Sequence, residues 1–311
     1  MKDIVIAGSG YMAEEYLKAI SFLPNLNVVA IVSRNLTTAK ILAEKYNVGY
    51  ITLDIKDAAM KTNAKCLIVC VSELSTEDVI NSAIDFPWTI LIEKPLGIDH
   101  DQALRIVERC GDRNDVYVAL NRRYYGATRE MLNEISRTTG KRFIVLTDQE
   151  DQIAAHNAGQ PALVVDNWMY ANSIHIIDYI NIFARGDLIQ LTKNRIQLDD
   201  NAYVISVDLE FDSGDHVEYL AYWNTSAKWS VEINVGDKQW QAQPLEKARK
   251  LVLGSREFSD FPIDEGDIQA KPGLISMLSA LEKQLSGEES HLVSIKEGIQ
   301  TMKLIEIIYA N

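Results

Sequence analysis

The sequence predicts an α/β protein in two parts, a doubly wound parallel sheet followed by a mostly antiparallel, open-faced sheet with helices. Three observations carry this. The apolar run Ile4 to Ala7 ends in Gly8, Gly10 and Ala13 at GxGxxA spacing, and a helical pattern follows at once from Tyr11 to Ile20. Strands of buried type then alternate with helices as far as Leu120, the pattern of a parallel sheet. From Leu188 to about Leu253 the apolar period shortens to two, with turn residues between the runs. At 311 residues the chain exceeds one domain of about 150 residues but is short for three, so the expected domains are 1–121 and 122–311.

Strand, glycine turn and helix in this order are the context in which the spacing binds a dinucleotide, in a Rossmann sheet. Gly8 allows the tight turn, Gly10 lets the backbone approach a pyrophosphate, and Ala13 lets the helix lie close to the strand. The first helical turn, with Tyr11 and Met12, directs free N–H groups and the positive end of the dipole toward the phosphates. An ordinary glycine turn is the plain alternative. Asn27 to Val32 is the second strand and ends in Ser33 and Arg34. NAD-selective folds of this kind place an acidic residue about 20 residues beyond the glycines to hold the ribose hydroxyls. Here a hydroxyl and a guanidinium stand instead, favouring NADP with NAD as the other candidate, because an arginine fork matches the extra phosphate. A solvated surface arginine would look the same.

Thr37 to Tyr46 is helical in pattern, Gly49 to Thr52 is a short strand and Ile55 to Lys61 a short helix. Lys65 to Val71 reads as a buried strand with Ser72 at its end as a cofactor contact. Thr76 to Ile84 is the next helix, capped by Ser75 or Thr76. Thr89 to Ile92 is a strand followed by Glu93, Lys94 and Pro95; His100 to Arg109 is a helix and Val116 to Leu120 a strand. Ligands of doubly wound sheets lie outside the carboxyl ends of the strands, where Glu93 and Lys94 fall. Pro95 biases Lys94 away from helical backbone. A lysine there donates to a substrate oxygen, or exchanges a proton if its surroundings lower its pKa; a salt bridge with Glu93 is the structural alternative. Asn121, Arg122, Arg123 and Tyr124 follow another strand end, and either line the same crevice or begin the next domain.

In the second half Arg142 to Thr147 is an expected strand, and Asp148 to Asp166 reads as a long loop of functional character. Asn167 to Ala184 is a helix with Asn167 as its N-cap; His175 and Asp178 share one face, with Ala171 a turn before the histidine. A lone helical histidine is more often structural than catalytic, and no side chains of ligand spacing accompany it, so no metal is expected. Tyr203 to Phe211, Val217 to Trp223 and Trp229 to Val235 alternate as strands around turns at Ser213 to Asp215 and at Gly236 and Asp237. Such a meander covers one face and leaves the other open. Tyr219, Tyr222, Trp223, Trp229 and Trp240 are candidates there for contact with a second copy, in a homodimer or homotetramer, as well as for the core. Ser259 to Asp267 is an acidic loop, and Gly273 to Leu285 and Ser294 to Tyr309 are amphipathic helices.

The formal charge of −13 argues against nucleic acid or an anionic membrane as the main partner. No segment approaches the roughly 20 apolar residues that span a bilayer, and the first apolar run leads into the fold rather than into an export signal. Three cysteines, Cys66, Cys70 and Cys110, cannot pair completely, which suits the cytoplasm.

GSGYMA, the Glu93-Lys94-Pro95 tripeptide, the Asn121 to Tyr124 crossover, the helix with His175 and Asp178 and the closing SIKEGIQTMKLIEII together resemble the Gfo/Idh/MocA family of glucose-fructose oxidoreductase and inositol dehydrogenase. The resemblance covers nearly the whole chain. It implies that Lys94 lies beside the nicotinamide and the reacting hydroxyl, and that His175 and Asp178 match a helix pattern of Asp, three residues, His, then Asp. The first Asp of that pattern falls on Ala171. The implied activity is hydride transfer between NADP and a carbon bearing a hydroxyl or carbonyl, in a sugar, cyclitol or nucleotide-linked sugar. His175 would exchange the proton and Lys94 polarise the oxygen, with Arg123, Tyr124, Asn172 and Asp178 contacting substrate. Ala171 also motivates reduction of an imine or enone, of the biliverdin-reductase type. An NADPH-binding regulator without catalysis is the reading from another class.

Overall fold

Runs of valine, isoleucine and leucine build a six-stranded parallel sheet in the first part of the computed structural model, which describes residues 1–310. Its elements alternate: β1 (Lys2–Ala7), α1 (Tyr11–Ile20), β2 (Leu26–Val32), α2 (Leu36–Tyr46), β3 (Tyr50–Thr52), α3 (Ile55–Lys61), β4 (Cys66–Val69), α4 (Glu73–Ala83), β5 (Thr89–Glu93), α5 (His100–Cys110) and β6 (Val116–Ala119). The strand order is β3-β2-β1-β4-β5-β6, so the order reverses between β1 and β4, where doubly wound sheets bind ligands. Ile4, Ile6, Leu67, Ile68 and Leu91 are fully buried, as strands covered on both faces require. The helix after β4 starts three residues earlier than the pattern suggests, because Ser72 rather than Ser75 or Thr76 is its cap and accepts from the Leu74 N–H at 3.3 Å.

The chain divides into two units: Met1–Asn121 with Gly266–Met302, and Arg122–Glu265 with the segment from Lys303 onward. The second unit follows a 3₁₀ turn (Asn121–Tyr124) and contains α6 (Gly126–Ser136), β7 (Phe143–Glu150), α7 (Gln152–Asn157), α8 (Ala162–Asp166), a π turn (Met169–Ser173), α9 (Ile174–Phe183), β8 (Leu188–Gln197), β9 (Tyr203–Phe211), β10 (His216–Trp223), β11 (Ser230–Val235), β12 (Lys238–Ala242), β13 (Ala248–Val252) and β14 (Ser259–Asp260). Their sheet runs β14-β13-β12-β11-β7-β10-β9-β8. It is mostly antiparallel, but not the plain meander expected, because β7 lies between β11 and β10 and pairs with β10 in parallel.

Two further expectations are corrected here, and one left open is decided. The stretch 148–166 is not a long loop. β7 continues to Glu150, and two short helices follow, the first capped by Asp151, whose Oδ1 accepts from the Ala154 N–H at 2.7 Å. Asn167 does not cap a helix at its start; its Nδ2 donates to the Leu163 carbonyl at 3.0 Å, and the π turn precedes α9. Of the aromatic residues weighed between the open face and the core, Tyr219, Trp223 and Trp240 belong to the core, at 1% exposure or less, and Tyr222 alternates to the other side. Their inward position follows from the two-residue period of β10 and β12.

The remaining elements are α10 (Glu265–Gln269), α11 (Leu274–Leu285) and α12 (Ile295–Tyr309). α11 buries Leu274, Met277, Leu278 and Leu281, and its Glu282 Oε1 accepts from Asn25 Nδ2 at 2.6 Å, which ties it to the first unit. The three cysteines are free and buried. No helix of the described residues is long and apolar enough to cross a membrane.

Candidate cofactor site and active-site residues

In the first unit, β1 hands over to α1 through Gly8, whose φ of +126° suits only glycine. A Cβ there would meet the Cys70 carbonyl oxygen at 2.4 Å, so the neighbouring strand end also demands a bare backbone. Gly10 is the N-cap of α1 and has open space where a side chain would stand. Gly8, Gly10, Ser33, Arg34 and Ser72 together line a cavity of about 480 Å³. Ser9, missed in the sequence, holds the two sides of this site together: its Oγ is 2.7 Å from Ser33 Oγ and 2.6 Å from Thr38 Oγ1. Arg34 Nη2 donates to Ser75 Oγ at 3.0 Å. Arg34 is the one cation lining the cavity among the described residues, against Asp54 and Asp78. Tyr11 and Met12 do not line it; Tyr11 is 64% exposed, with the Lys271 ammonium 5.4 Å from its ring.

Gly8→Ala is expected to cost about 2 kcal/mol or more in stability, lowering Tm by about 5 °C, because it adds a strained backbone to a backbone clash. Dinucleotide binding should weaken with it. Thermal denaturation and a cofactor titration of the variant check both.

Lys94 stands just past the end of β5, joined to Pro95 by a cis peptide bond. Glu93 is its bracket. Glu93 Oε2 accepts the Lys94 backbone N–H at 3.1 Å, and Oε1 accepts the Tyr16 hydroxyl at 2.6 Å. Burial pushes the Glu93 carboxyl above its usual range, with the Tyr16 bond and the Lys94 charge pulling the other way. Glu93 and Lys94 are outside the lining of the 480 Å³ cavity.

In the second unit, α9 buries both His175 and Asp178. Arg123 grips Asp178 with two parallel bonds, Nε to Oδ2 at 2.7 Å and Nη2 to Oδ1 at 2.6 Å, and the two side chains are only 16% and 4% exposed. Tyr124 is buried and its carbonyl accepts from Arg129 Nε at 3.3 Å. Asn172 Nδ2 donates to Glu150 Oε2 at 2.8 Å. The expected substrate contacts Arg123, Asp178 and Asn172 are therefore engaged with protein groups. The His175 ring lies 6.3 Å from Trp229, and the Arg122 guanidinium sits 4.0 Å over the same indole.

A cluster of acids that the sequence reading did not single out lies beneath this helix. Ser173 Oγ donates to Glu150 Oε1 at 3.0 Å, and Tyr219 donates to Asp148 Oδ2 at 2.7 Å. Asp148 and Glu150 act on each other electrostatically, and the Asp148 charge disfavours the ionised form of Glu150. Burial, and for Glu150 the neighbouring Asp148 charge, raises both. The available signal was position: Asp148 and Glu150 follow Ile144 and Leu146 on the inward face of one strand.

Residues 2–121 match the model of the GFO_IDH_MocA oxidoreductase family, described as its NAD-binding Rossmann fold. The matched residues are those of the six-stranded parallel sheet and its helices. Among solved structures, the chain is similar to a dehydrogenase from Chromobacterium violaceum, with 16% identity and a TM-score of 0.84 over 99% of this chain and 94% of that one. It is also similar to levoglucosan dehydrogenase in complex with NADH and levoglucosan, with 15% identity and a TM-score of 0.81 over 99% and 95% of the two chains. A third is UDP-N-acetylglucosamine 3-dehydrogenase GnnA from Acidithiobacillus ferrooxidans, with 10% identity and a TM-score of 0.79 over 98% and 96%. At these identities the likeness establishes the two-part fold. No curated protein matches the chain by sequence.

Proposed function

We propose that the chain is an NAD(P)-dependent oxidoreductase acting on an alcohol or carbonyl carbon of a sugar-like polyol, with NADP preferred. The observation that carries this is Lys94, bracketed by Glu93 and Tyr16 at a strand end of a sheet whose Gly8 turn has the form a dinucleotide needs. The residues present fit the cofactor. Gly8 and Gly10 leave bare backbone at the start of α1, and Ser33, Arg34 and Ser75 offer hydroxyl and guanidinium donors suited to a ribose phosphate. Gly8, Gly10, Ser33, Arg34 and Ser72 would hold it. When bound, a nicotinamide supplies or accepts the hydride.

The chain's own residues handle charge and protons. The Lys94 ammonium donates to the reacting oxygen and stabilises the charge that develops on it. In the second unit, His175 is the group able to exchange a proton. Its helix is fixed from one side by the buried Arg123–Asp178 pair. The turn before it is fixed by the bonds of Asn172 and Ser173 to Glu150, with Ala171 buried between neighbours rather than offering a carboxylate. Two of the similar structures are dehydrogenases of carbohydrate-like molecules, levoglucosan and a nucleotide sugar, which supports the polyol class.

NADPH at about 100 times its dissociation constant should raise Tm by about 5 °C or more, with NADH giving a smaller rise at the same concentration. A panel of sugars and cyclitols should then show turnover with the stabilising cofactor. Stabilisation by NADH alone would remove the NADP preference. Turnover of an enone or imine with none of any polyol would move the protein to the other reaction class.

A further inference from the structure

We propose that the substrate carries an anionic oxyacid group, a carboxylate or a phosphate, and that Arg122 and Lys228 bind it in a cavity beside Trp229. This rests on the hydride-transfer reading above and names its substrate class. The cavity, about 410 Å³, is lined by Arg122, Lys228, Trp229, Gln243, Pro244, Leu245 and Glu246, all of the second unit.

Arg122 is held in a form suited to an anion. Its guanidinium lies 4.0 Å over the Trp229 ring, so the flat face is covered and the N–H edge is left to donate. Trp229 is fixed in turn, because its Nε1 donates to the Gln149 carbonyl at 2.9 Å. Arg122 Nη1 is buried and has no hydrogen-bond acceptor among the described residues. Buried guanidinium donors ordinarily find one. Asp148, an acid that feels the Arg122 charge, already accepts a hydrogen bond from the Tyr219 hydroxyl at 2.7 Å.

Lys228 adds a second cation to the lining, against the single carboxylate of Glu246. Two cations facing one anion leave room for one further negative charge, while Pro244 and Leu245 offer apolar contact to a carbon skeleton. The Trp229 ring centroid also lies 6.3 Å from that of His175, which places the cavity near the proposed proton exchanger. A planar fork beside a point charge is the pairing that selects carboxylate or phosphate over a neutral hydroxyl.

The experiment uses the full chain with saturating NADPH or NADP and matched substrate sets: a neutral sugar or polyol, its aldonate or uronate, and its phosphate. The carboxylate and phosphate arms separate the two sources of negative charge. The expected result is a kcat/KM for one anionic member about 100-fold above that of its neutral counterpart, expressed mainly in KM. Arg122→Gln should lower the anionic-to-neutral ratio by about 10- to 100-fold, Arg122→Lys should recover part of it, and Lys228→Gln should lower it less. Equal kcat/KM across each matched set, or a ratio that Arg122→Gln and Lys228→Gln leave unchanged, overturns the proposal. Calorimetric binding of the aldonate and the sugar phosphate is measured in parallel. Anion binding that Arg122→Gln abolishes, without turnover of any member, keeps the site and sinks the reaction. Turnover of neutral polyols with no anion binding does the reverse.

Discussion

Lys94→Ala is expected to lower kcat by about 10²- to 10⁴-fold while changing NADPH affinity by no more than a few-fold. The size follows from what the substitution removes. A positioned donor acts where charge develops on the reacting oxygen, so its loss falls on the transition state rather than on the bound ground state. The fold should survive. Glu93 accepts the Lys94 backbone N–H at 3.1 Å, a bond the substitution leaves in place, and Glu93 keeps its 2.6 Å bond from Tyr16 in the variant. Lys94 also lies outside the lining of the dinucleotide cavity. Single-turnover rates together with a cofactor titration decide the matter. If affinity and rate fall by the same factor, Lys94 is a cofactor ligand and not a participant in the chemistry.

What the sequence disclosed and what it hid follow from the range of the interactions involved. The Gly8 turn was legible because a positive φ and a close backbone approach leave a glycine in the sequence, whatever the rest of the chain does. The six parallel strands were legible for a similar local reason, since burial on both faces writes an unbroken apolar run. The place of β7 was not legible. Its pairing with β10 spans more than 70 residues, and its last inward positions are Asp148 and Glu150, which read as solvent-facing polar residues until their partners are known. Asn172 and Asp178 were identified as site residues, but their hydrogen bonds reach back to Glu150 and Arg123. A helix face shows which residues point together; it does not show which distant element meets them.

The buried acids under α9 lead to an expectation about stability and pH. The Glu150 carboxyl is pushed up to about 10 in the folded chain, first because burial disfavours its charged form and then because Asp148 adds a like charge. Asp148 is shifted in the same direction by burial. At pH values below 4.5 the folded and unfolded chains both hold the Glu150 proton, and the contribution of this group to stability is complete. As pH rises from there, the unfolded chain releases the proton and the folded chain retains it. Stability therefore falls with pH, by at most about 1.4 kcal/mol per unit for one proton, until the folded group itself ionises. Other carboxylates work the opposite way. Glu134 and Asp215, each bonded to a cation, are lowered and lose stability toward acid, so the wild-type curve alone would mix the two effects.

Glu150→Gln separates them. The amide keeps the size of the neutral acid, can donate to Asp148 and still accepts from Asn172 or Ser173, but it does not titrate. Between pH 5 and pH 8 the wild type should lose about 2 kcal/mol or more relative to the variant, read from urea unfolding at each pH with the slope held under check. The curves should converge toward acid, where wild-type Glu150 is neutral in both states. Parallel curves across the range would mean that Glu150 is already ionised in the folded protein. Such a result would also change the account of the turn before His175, because Asn172 and Ser173 would then be donating to a buried carboxylate ion rather than to a neutral acid.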